Sequence, residues 1–563
     1  MAFQISPGVN TSEVDLTTVV PSVLTTAGAF AGYFNWGPVS QVTLVDSEIT
    51  LVNRFGQPDS NSAVSFFSAA NFLAYGNNLR VVRAVGTGSL NATSNNQTTI
   101  QIANESVFQA TKLYINNSNY YGPFVARYPG ALGNSLTVSV CDNSTAFSTW
   151  TYKNYFTAAP STSSYAASVG GSNDELHVIV IDSGGLISGV QGTVLEIYPF
   201  LSKAYDAEIN GASNFYKQVI YTNSKYVYAV DPSEYAATHS TWGLNAAGVS
   251  FAQLTQADTY NLSGGTDAVP QDSDKQSAYD LFANKETLDI SLVITGDASV
   301  ALQQHIIDSI VNSRADCVGF ISPPSTAVVN QAGSETSNIQ TWLANLSRSS
   351  TYVVADSGWK YQFDKYNNVY RWIPLNADIA GLCVYTDSVR DPWFSPAGFN
   401  RGAIKNAIKL AWNPAKTYRD VLYAAGVNSV VSFPGQGTVL FGDKVLTSKP
   451  SAFDRINVRR LFITMERAIG KAAQYSMFEM NDEFTRAQFI ALVTPFLRDV
   501  QGRRGITDYK VVCDSTNNTQ QVIDSNQFVG DIYIKPARSI NYIQLNFVAV
   551  GTGVDFTTIV GAA

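Results

Sequence analysis

The segment that indicates the fold most directly is DISLVITGDASVALQQHIIDSIVNSRADCVGFI, residues 289–321. It opens with DISLVIT and closes with CVGFI, two apolar runs of the length of a buried strand. The residues between them predict a helix with Asp297 as its N-cap, ending at Arg314. A strand, a helix and a strand in this order predict a βαβ unit, whose two strands lie parallel in one sheet.

The same alternation of helix and strand occurs on both sides of this unit. Upstream, SAVSFFSAANFLAY at 62–75 has apolar residues at helical spacing and is followed by the strand pattern LRVVRAV at 79–85. Downstream, YVVAD at 352–356 predicts a further buried strand. We therefore predict a core domain of the α/β class, built from residues 25–85 and 262–385.

Between the two parts of this core the composition changes. Residues 86–261 are rich in Asn, Ser, Thr and Tyr and contain short alternating runs such as SLTVSVC at 135–141 and LHVIVID at 176–182. Turn-forming residues separate these runs at the spacing of neighbouring strands. We predict a β-rich insertion at the periphery of the core.

The region 386–540 predicts a C-terminal domain of the α+β class. Between residues 458 and 472, apolar side chains recur at intervals of three and four, as on one face of a helix. A second helical pattern covers 483–500, where Pro495 is expected to kink or split the helix. Strand patterns follow at 509–513 and 531–535. The predicted fold is therefore multidomain, α/β and α+β, with a separate segment at each end.

The two ends of the chain carry strand patterns outside these domains. In residues 11–20 and 540–550, apolar side chains alternate with polar ones. We predict an N-terminal arm, residues 1–24, and a C-terminal arm, residues 541–563, each of which pairs either with a sheet of another molecule or with a sheet of its own chain. The residues expected to mediate this pairing are Val14, Leu16, Val20, Ile543, Leu545 and Phe547.

The distribution of charge predicts a basic region on an acidic chain. The formal net charge is −8, yet residues 390–510 contain 18 Lys and Arg against 10 Asp and Glu. Such a region either meets an acidic partner, such as nucleic acid, an anionic surface or an acidic protein, or is solvated. A sequence pI of about 5.1 and the lack of a recognition motif argue against nucleic acid. The candidates for contact with an acidic protein are Arg460, Arg467 and Lys471.

The sequence contains no recognisable constellation for catalysis or metal binding. The three histidines and four cysteines are far apart, and no HExxH, CxxC, P-loop, GxGxxG or GxSxG motif occurs. Neither residues 295–297 nor residues 322–323, each directly after a predicted strand, offer a nucleophile beside a base. We therefore predict no catalytic residue, no metal and no cofactor, and we interpret the cysteines as buried thiols.

Apolar runs stay shorter than the roughly 18 to 20 residues that span a bilayer. The first ten residues have neither a basic cluster nor an apolar centre. We expect no membrane insertion and no secretory signal.

A series of motifs, in a fixed order, resembles one protein family. The series begins with MAFQISPGVNTSEVD at 1–15 and GAFAGYFNWGP at 28–38. It continues with ARYPGALGNSL at 126–136, which contains a PG-x-x-GN segment, and with LSGGTD at 262–267. Two longer stretches, 351–387 and 453–505, complete it. In this order the motifs resemble the tail sheath proteins of contractile-tailed bacteriophages, the myovirus tail sheath family, over most of the chain.

The resemblance implies a structural subunit without enzymatic activity. Six subunits would form a ring, and stacked rings would surround an inner tail tube and contract to drive it through the host envelope for genome delivery. Implied partners are other sheath subunits through exchanged terminal strands, the inner tube protein facing the basic helix, and the baseplate and tail terminator proteins. The implied location is the virion tail, after assembly in the host cytoplasm.

Other classes stay open from the residues alone. A sheath of a bacterial contractile injection system shares the implied C-terminal module, although the large β-rich insertion favours a phage. A cell-wall-acting α/β enzyme needs catalytic groups at the carboxyl ends of its parallel strands. A cell-surface adhesin fits the polar β-rich segment but needs an export signal.

Overall fold

The computed structural model of the protein describes residues 20–21, 23–95, 99–111, 121–230 and 239–545. These residues divide into two compact units. The first contains residues 21–392 and 396–471, and the described part of the second contains residues 20, 393–395 and 472–545.

The regular elements of the described residues are as follows in chain order. The strands are β1 Gly28–Gly32, β2 Thr43–Val45, β3 Leu79–Arg83, β4 Phe124–Ala126, β5 Leu136–Cys141, β6 Glu175–Asp182, β7 Thr193–Ser202, β8 Glu208–Ile209, β9 Ala212–Ser213, β10 Val227–Ala229, β11 Asp258–Asn261, β12 Leu292–Ile294, β13 Val318–Ile321, β14 Val353–Asp356, β15 Trp359–Asp364, β16 Val369–Pro374, β17 Lys409–Leu410, β18 Val427–Phe433, β19 Gly437–Phe441, β20 Ile506–Val512 and β21 Asp531–Pro536. The α-helices are α1 Glu48–Phe55, α2 Ala63–Leu73, α3 Glu105–Thr111, α4 Ser144–Thr149, α5 Ser164–Ser168, α6 Tyr216–Asn223, α7 Asp272–Asp280, α8 Val300–His305, α9 Asn312–Arg314, α10 Ser325–Val328, α11 Glu335–Leu346, α12 Asn376–Val389, α13 Lys416–Ala424, α14 Ile456–Ala473, α15 Glu483–Gly502 and α16 Gln520–Asp524. A π-helical stretch, Ile306–Val311, joins α8 to α9.

An eight-stranded sheet forms the centre of the first unit, in the order β19-β18-β14-β13-β12-β1-β3-β2. Its six inner strands are parallel, and the edge strands β19 and β2 are antiparallel to their neighbours. Leu292 pairs with Val318, which confirms the parallel βαβ unit predicted from residues 289–321. The predicted N-cap is wrong by two residues, because Ser299 Oγ, and not Asp297, accepts the capping hydrogen bond from the Leu302 N–H.

Helices cover both faces of this sheet. Alternate residues of β1 point to opposite faces, so that Phe30 joins one apolar core while Ala29 and Ala31 join another. The first core includes residues of α2 and α12, and the second includes residues of α7, α8 and α11. Apolar strands buried on both faces are typical of parallel sheets, and the α/β class predicted for this region is confirmed.

The core sheet extends beyond residue 385, where the sequence predicted its end. Both β18 and β19 come from the region assigned to the C-terminal domain, yet Val427 of β18 pairs with Ala355 of β14. The first unit accordingly continues to residue 471. Strand patterns locate strands but do not specify which sheet a strand joins, and this explains the difference.

Residues 86–261 contain a second sheet with its own apolar core. Four antiparallel strands lie in the order β11-β5-β6-β7, which confirms the predicted β-rich character. A fully buried ion pair joins Lys203 to Asp142 at 2.9 Å, and the ammonium lies 5.1 Å from the centre of the Trp242 ring.

A buried arginine connects this insertion to the core. The Arg83 guanidinium donates hydrogen bonds to the carbonyl oxygens of Phe34 (2.7 Å) and Gly37 (2.9 Å) in the core and of Pro129 (2.7 Å) in the insertion. Burial lowers the pKa of Arg83 to about 10, so that the group stays charged at neutral pH. Backbone carbonyls from both segments therefore hold one fixed cation.

The described part of the second unit consists of α15, the short α16 and the antiparallel pair β20 and β21. Asp482 caps α15 by accepting a hydrogen bond from the Thr485 N–H at 2.9 Å. Of the two outcomes expected for Pro495, a kink or a split, the split does not occur, since α15 continues from Glu483 to Gly502.

Two further observations concern the described residues as a whole. All four cysteines are buried and unbridged, as predicted. Among the helices that the structure describes, none has the length and apolar character required to cross a membrane.

Candidate functional site

The carboxyl ends of parallel strands are where α/β proteins bind ligands, so this edge of the core sheet is the first candidate for a site. Gly296 follows β12, Ser322 follows β13 and Asp356 ends β14. The first residue of α12, Asn376, reaches into this edge. Its Nδ2 donates to the Gly296 carbonyl (2.8 Å) and to Ser322 Oγ (2.9 Å), and its Oδ1 accepts from the Gly296 N–H (3.0 Å). The chain's own helix therefore occupies the position of a ligand.

The structure corrects one statement made from the sequence about this edge. Ser322 does have an acidic neighbour, since its Oγ lies 2.6 Å from Asp356 Oδ2. The two residues come from adjacent strands and are distant in sequence, which is why local motifs did not reveal the pair. Ser322 is 2% exposed and Asp356 is 1% exposed, so the pair is closed to a substrate. Burial raises the pKa of Asp356 to about 8.

A buried ion pair holds α12 against the core. Lys360 Nζ lies 2.9 Å from Asp378 Oδ1, both side chains are fully buried, and the same ammonium donates to the Lys405 carbonyl at 2.8 Å. The Tyr75 hydroxyl donates to Asp378 Oδ1 at 3.2 Å. This arrangement pairs two buried charges and fixes the start of α12, which is a structural role, while Asp378 Oδ2 has no hydrogen-bond partner among the described residues.

The three predicted basic residues lie on α14, but two of them are used inside the first unit. Arg460 forms a bidentate ion pair with Asp387, with distances of 2.8 and 2.6 Å, and the two side chains are 4% and 5% exposed. Burial alone lowers the pKa of Arg460, but the Asp387 carboxylate outweighs it and holds that pKa above its ordinary value. Arg467 pairs with Asp289 and is 11% exposed.

Lys471 is the exposed member of the three. Its side chain is 48% exposed, and its Nζ lies 3.7 Å from Asp289 Oδ2. The helical pattern correctly placed all three residues on one helix, but their acidic partners come from distant segments that the pattern does not specify. Contact between these residues and another protein stays a prediction.

The predicted arm residues are only partly described. Val14, Leu16 and Phe547 lie outside the described residues, and Val20 is partly exposed. In the C-terminal segment 540–545, which has no strand assignment, the apolar side chains are strongly exposed. Their exposures are 82% for Ile540, 82% for Tyr542, 78% for Ile543 and 71% for Leu545. Closely spaced exposed apolar residues are a feature of surfaces that bind a partner, so pairing of this segment with a neighbour stays a prediction.

The pair β20 and β21 is the second feature suited to association. In the described residues these strands form a two-stranded sheet, with Tyr509 opposite Ile534. An isolated pair of strands is only marginally stable in water, and within the described residues neither β20 nor β21 pairs with a third strand. No group of acidic, histidine or cysteine side chains suited to a metal ion occurs in the part of the chain that the structure describes.

The fold defines a multidomain α/β protein. The sheet edge where such proteins usually bind ligands is filled by the chain's own side chains, and the exposed segment 540–545 is suited to strand addition. Family models match three parts of the chain. They are the tail sheath protein Gp18 domain III N-terminal region at residues 26–84, the phage tail sheath protein central domain at 272–445 and the phage tail sheath C-terminal domain at 448–549. The chain belongs to the phage tail sheath protein family.

Full-length relatives agree with this assignment. The chain is 34% identical to the tail sheath protein of Vibrio phage KVP40, covering 99% of this chain and 100% of the relative. It is also 34% identical to the tail sheath protein of Enterobacteria phage T4, covering 99% of each. The protein is thus a tail sheath protein of a contractile phage tail, and its relatives are structural proteins of the virion.

Solved structures show the same fold at low sequence identity. A sheath tail protein from Listeria innocua aligns with a TM-score of 0.54 at 12% identity, covering 92% of this chain and 93% of that one. The PVC sheath of an extracellular contractile injection system, in its contracted state, aligns with a TM-score of 0.50 at 13% identity, covering 97% and 98%.

Proposed function

We propose that this sheath protein polymerises as stacked rings of six around an inner tail tube and contracts to drive the tube through the host envelope for genome delivery. Family membership supports the class of function. The observation that carries the assembly mechanism is the apolar segment 540–545, whose four large side chains are each more than 70% exposed. A subunit that exposes such a segment gains free energy by burying it against a neighbour.

The proposed contact is strand addition between subunits. Terminal segments of one subunit pair with the edges of the sheet formed by β20 and β21 in a neighbour. Each added ladder hydrogen bond contributes about 0.5–1.5 kcal/mol. Burial of Ile543 and Leu545 adds about 1.5–3 kcal/mol for each side chain. Such links keep neighbours connected while their globular parts change position between two discrete packings during contraction.

A phage tail is favoured over a bacterial injection system by the relatives. The identity of 34% extends over the full length of two phage proteins, whereas the injection-system sheath is similar at 13%. Assembly in the host cytoplasm, with the baseplate at one end and a tail terminator at the other, follows from this proposal.

The insertion formed by residues 86–261 is proposed to lie at the outer surface of the sheath. Its apolar core, to which Trp36 and Leu262 from outside this segment also contribute, is distinct from both cores of the central sheet. The purified chain is expected to form rings or tubes in electron micrographs. A variant in which a Gly-Ser bridge replaces residues 86–261 should form tubes of the same periodicity and smaller diameter. Dispersed monomers from the parent chain would contradict the proposed function, and loss of tubes from the variant alone would place the insertion in the assembly core.

Lys471 is proposed to face the inner tube, because it is the exposed member of the basic group on α14. Lys471→Glu is expected to weaken binding of the sheath to isolated tubes most strongly at low salt, where exposed charges are least screened. Co-sedimentation with tubes at several salt concentrations measures this, and Glu466→Gln, an exposed change on the same helix, is the control. Equal co-sedimentation of Lys471→Glu and the parent at low salt would show that the tube lies elsewhere.

A further inference from the structure

The segment that leads from the N-terminal arm into the core is held by side chains from three distant parts of the chain. Arg467 Nη1 donates to the Leu24 carbonyl at 3.1 Å, and Ser291 Oγ donates to the same carbonyl at 2.8 Å. Thr25 Oγ1 donates to Asp387 Oδ2 at 2.7 Å. Arg460 Nη2 contacts the Thr25 carbonyl at 3.4 Å. We call residues 23–25 the arm root.

These contacts form one connected network. Arg467 Nη1 also lies 2.9 Å from Ser291 Oγ, so that two donors converge on the Leu24 carbonyl. Asp387 accepts from both Arg460 and Thr25, which places the ion pair and the arm root on the same carboxylate. Because a bidentate arginine–carboxylate pair has a fixed planar geometry, the remaining donor of Arg460 has a defined direction.

The arm root is also closely packed. The space between it and α14 has a volume of about 10 Å³ and is lined by Val23, Thr25, Ser291, Val318, Arg460, Ile463, Thr464 and Arg467. A cavity of this size is at the lower limit for one water molecule. On its α14 side the arm root therefore contacts protein groups directly, whereas Thr25 also lines an open pocket of about 610 Å³ on another side.

We propose that Arg460 and Arg467 are positioning residues that set the direction in which the N-terminal arm leaves the core. Both lie on α14, the helix that crosses from the first compact unit into the second between Lys471 and Ala472. A displacement of α14 is therefore transmitted directly to the arm root. This inference rests on the proposed role of the arm in linking subunits, and it adds a connection between that arm and one helix.

Arg460 is buried and Arg467 is mostly buried, so their positive charges bind groups of their own chain and do not form a solvated basic face. A guanidinium supplies several directed N–H donors at once, so one side chain can bind a carboxylate and a backbone carbonyl together. The arm root precedes β1 and is not part of the sheet. Its backbone carbonyls therefore accept hydrogen bonds from side chains, whereas those of β1 accept them from neighbouring strands.

Spin labels on the isolated subunit test the proposal without relying on assembly. Pro21→Cys and Ile49→Cys introduce the two label sites, and the four native cysteines are buried, so labelling is selective. The parent is expected to give one narrow distance distribution. Arg467→Gln should broaden it, and so should the double variant Arg460→Met with Asp387→Leu, which removes the contacts but leaves no unpaired buried charge. Glu466→Gln on the same helix is the control.

The same variants are then examined for polymerisation. Loss of a preorganised arm is expected to raise the subunit concentration needed for tubes by about tenfold in Arg467→Gln and in the double variant, and not in the control. Circular dichroism verifies that each variant is folded. A distance distribution that stays narrow in both Arg467→Gln and the double variant would overturn the proposal. Failure of the proposed function gives a different result. In that case the parent forms no tubes, while the substitutions still broaden the distance distribution.

Discussion

A variant that lacks residues 1–20 is expected to fold as a monomer and to form no tubes. The first compact unit starts at residue 21, and its central sheet begins only at Gly28. The truncation leaves that sheet and its two apolar cores complete. In the assembled sheath it removes the predicted strand of the N-terminal arm, whose ladder hydrogen bonds would contribute about 0.5–1.5 kcal/mol each. The sum over one arm is several kcal/mol, and every subunit loses it.

Sedimentation and electron microscopy measure this effect, and thermal unfolding measures the stability of the monomer. Leu16→Lys in the full-length chain should impair polymerisation in the same direction, because it places a charge in the proposed apolar face of the strand. Glu13→Ala, on the opposite side of the alternating pattern, is the matched control. Ordered tubes from the truncated chain, or a truncated chain that does not fold, would show that the segment belongs to its own subunit.

The second large effect concerns the buried carboxyl group at the sheet edge. Burial raises the pKa of Asp356 to about 8, whereas the ordinary value is 3.8. Between these two values the folded chain holds a proton that the unfolded chain has lost. The contribution of Asp356 to stability is therefore fully present below about pH 4 and decreases as the pH rises to about 8, by about 1.4 kcal/mol per pH unit.

Asp356→Asn removes this dependence because asparagine has the shape of a protonated aspartic acid and does not ionise. The variant should match the parent near pH 4 and exceed its free energy of unfolding by on the order of 5 kcal/mol at pH 8. Chemical unfolding at several pH values measures the difference. Asp420→Asn is the control, since Asp420 is 65% exposed and forms a surface ion pair. The same pH dependence in Asp356→Asn and in the parent would show that this carboxyl group ionises normally.

Periodicity in the sequence was sufficient to find most elements near the proposed sites. The run DISLVIT contains β12 and CVGFI contains β13. A short apolar run bounded by polar residues predicts a buried strand whatever segments pack around it. The stripe between residues 458 and 472 likewise identified α14. These signals are local, so the sequence by itself determines them.

The membership of β18 in the core sheet was decided only by tertiary structure. So were the partners of the charged groups. Arg460 and Lys471 carry the same charge, and the sequence predicts both as surface cations. In the folded chain Asp387 lies beside Arg460, which is therefore part of a buried ion pair, whereas Lys471 is exposed. Ser322 and Asp356 acquire their contact in the same way, across adjacent strands. The physical reason is that local periodicity determines which face of an element is buried, whereas the identity of the group against that face depends on segments that meet only after the chain has folded.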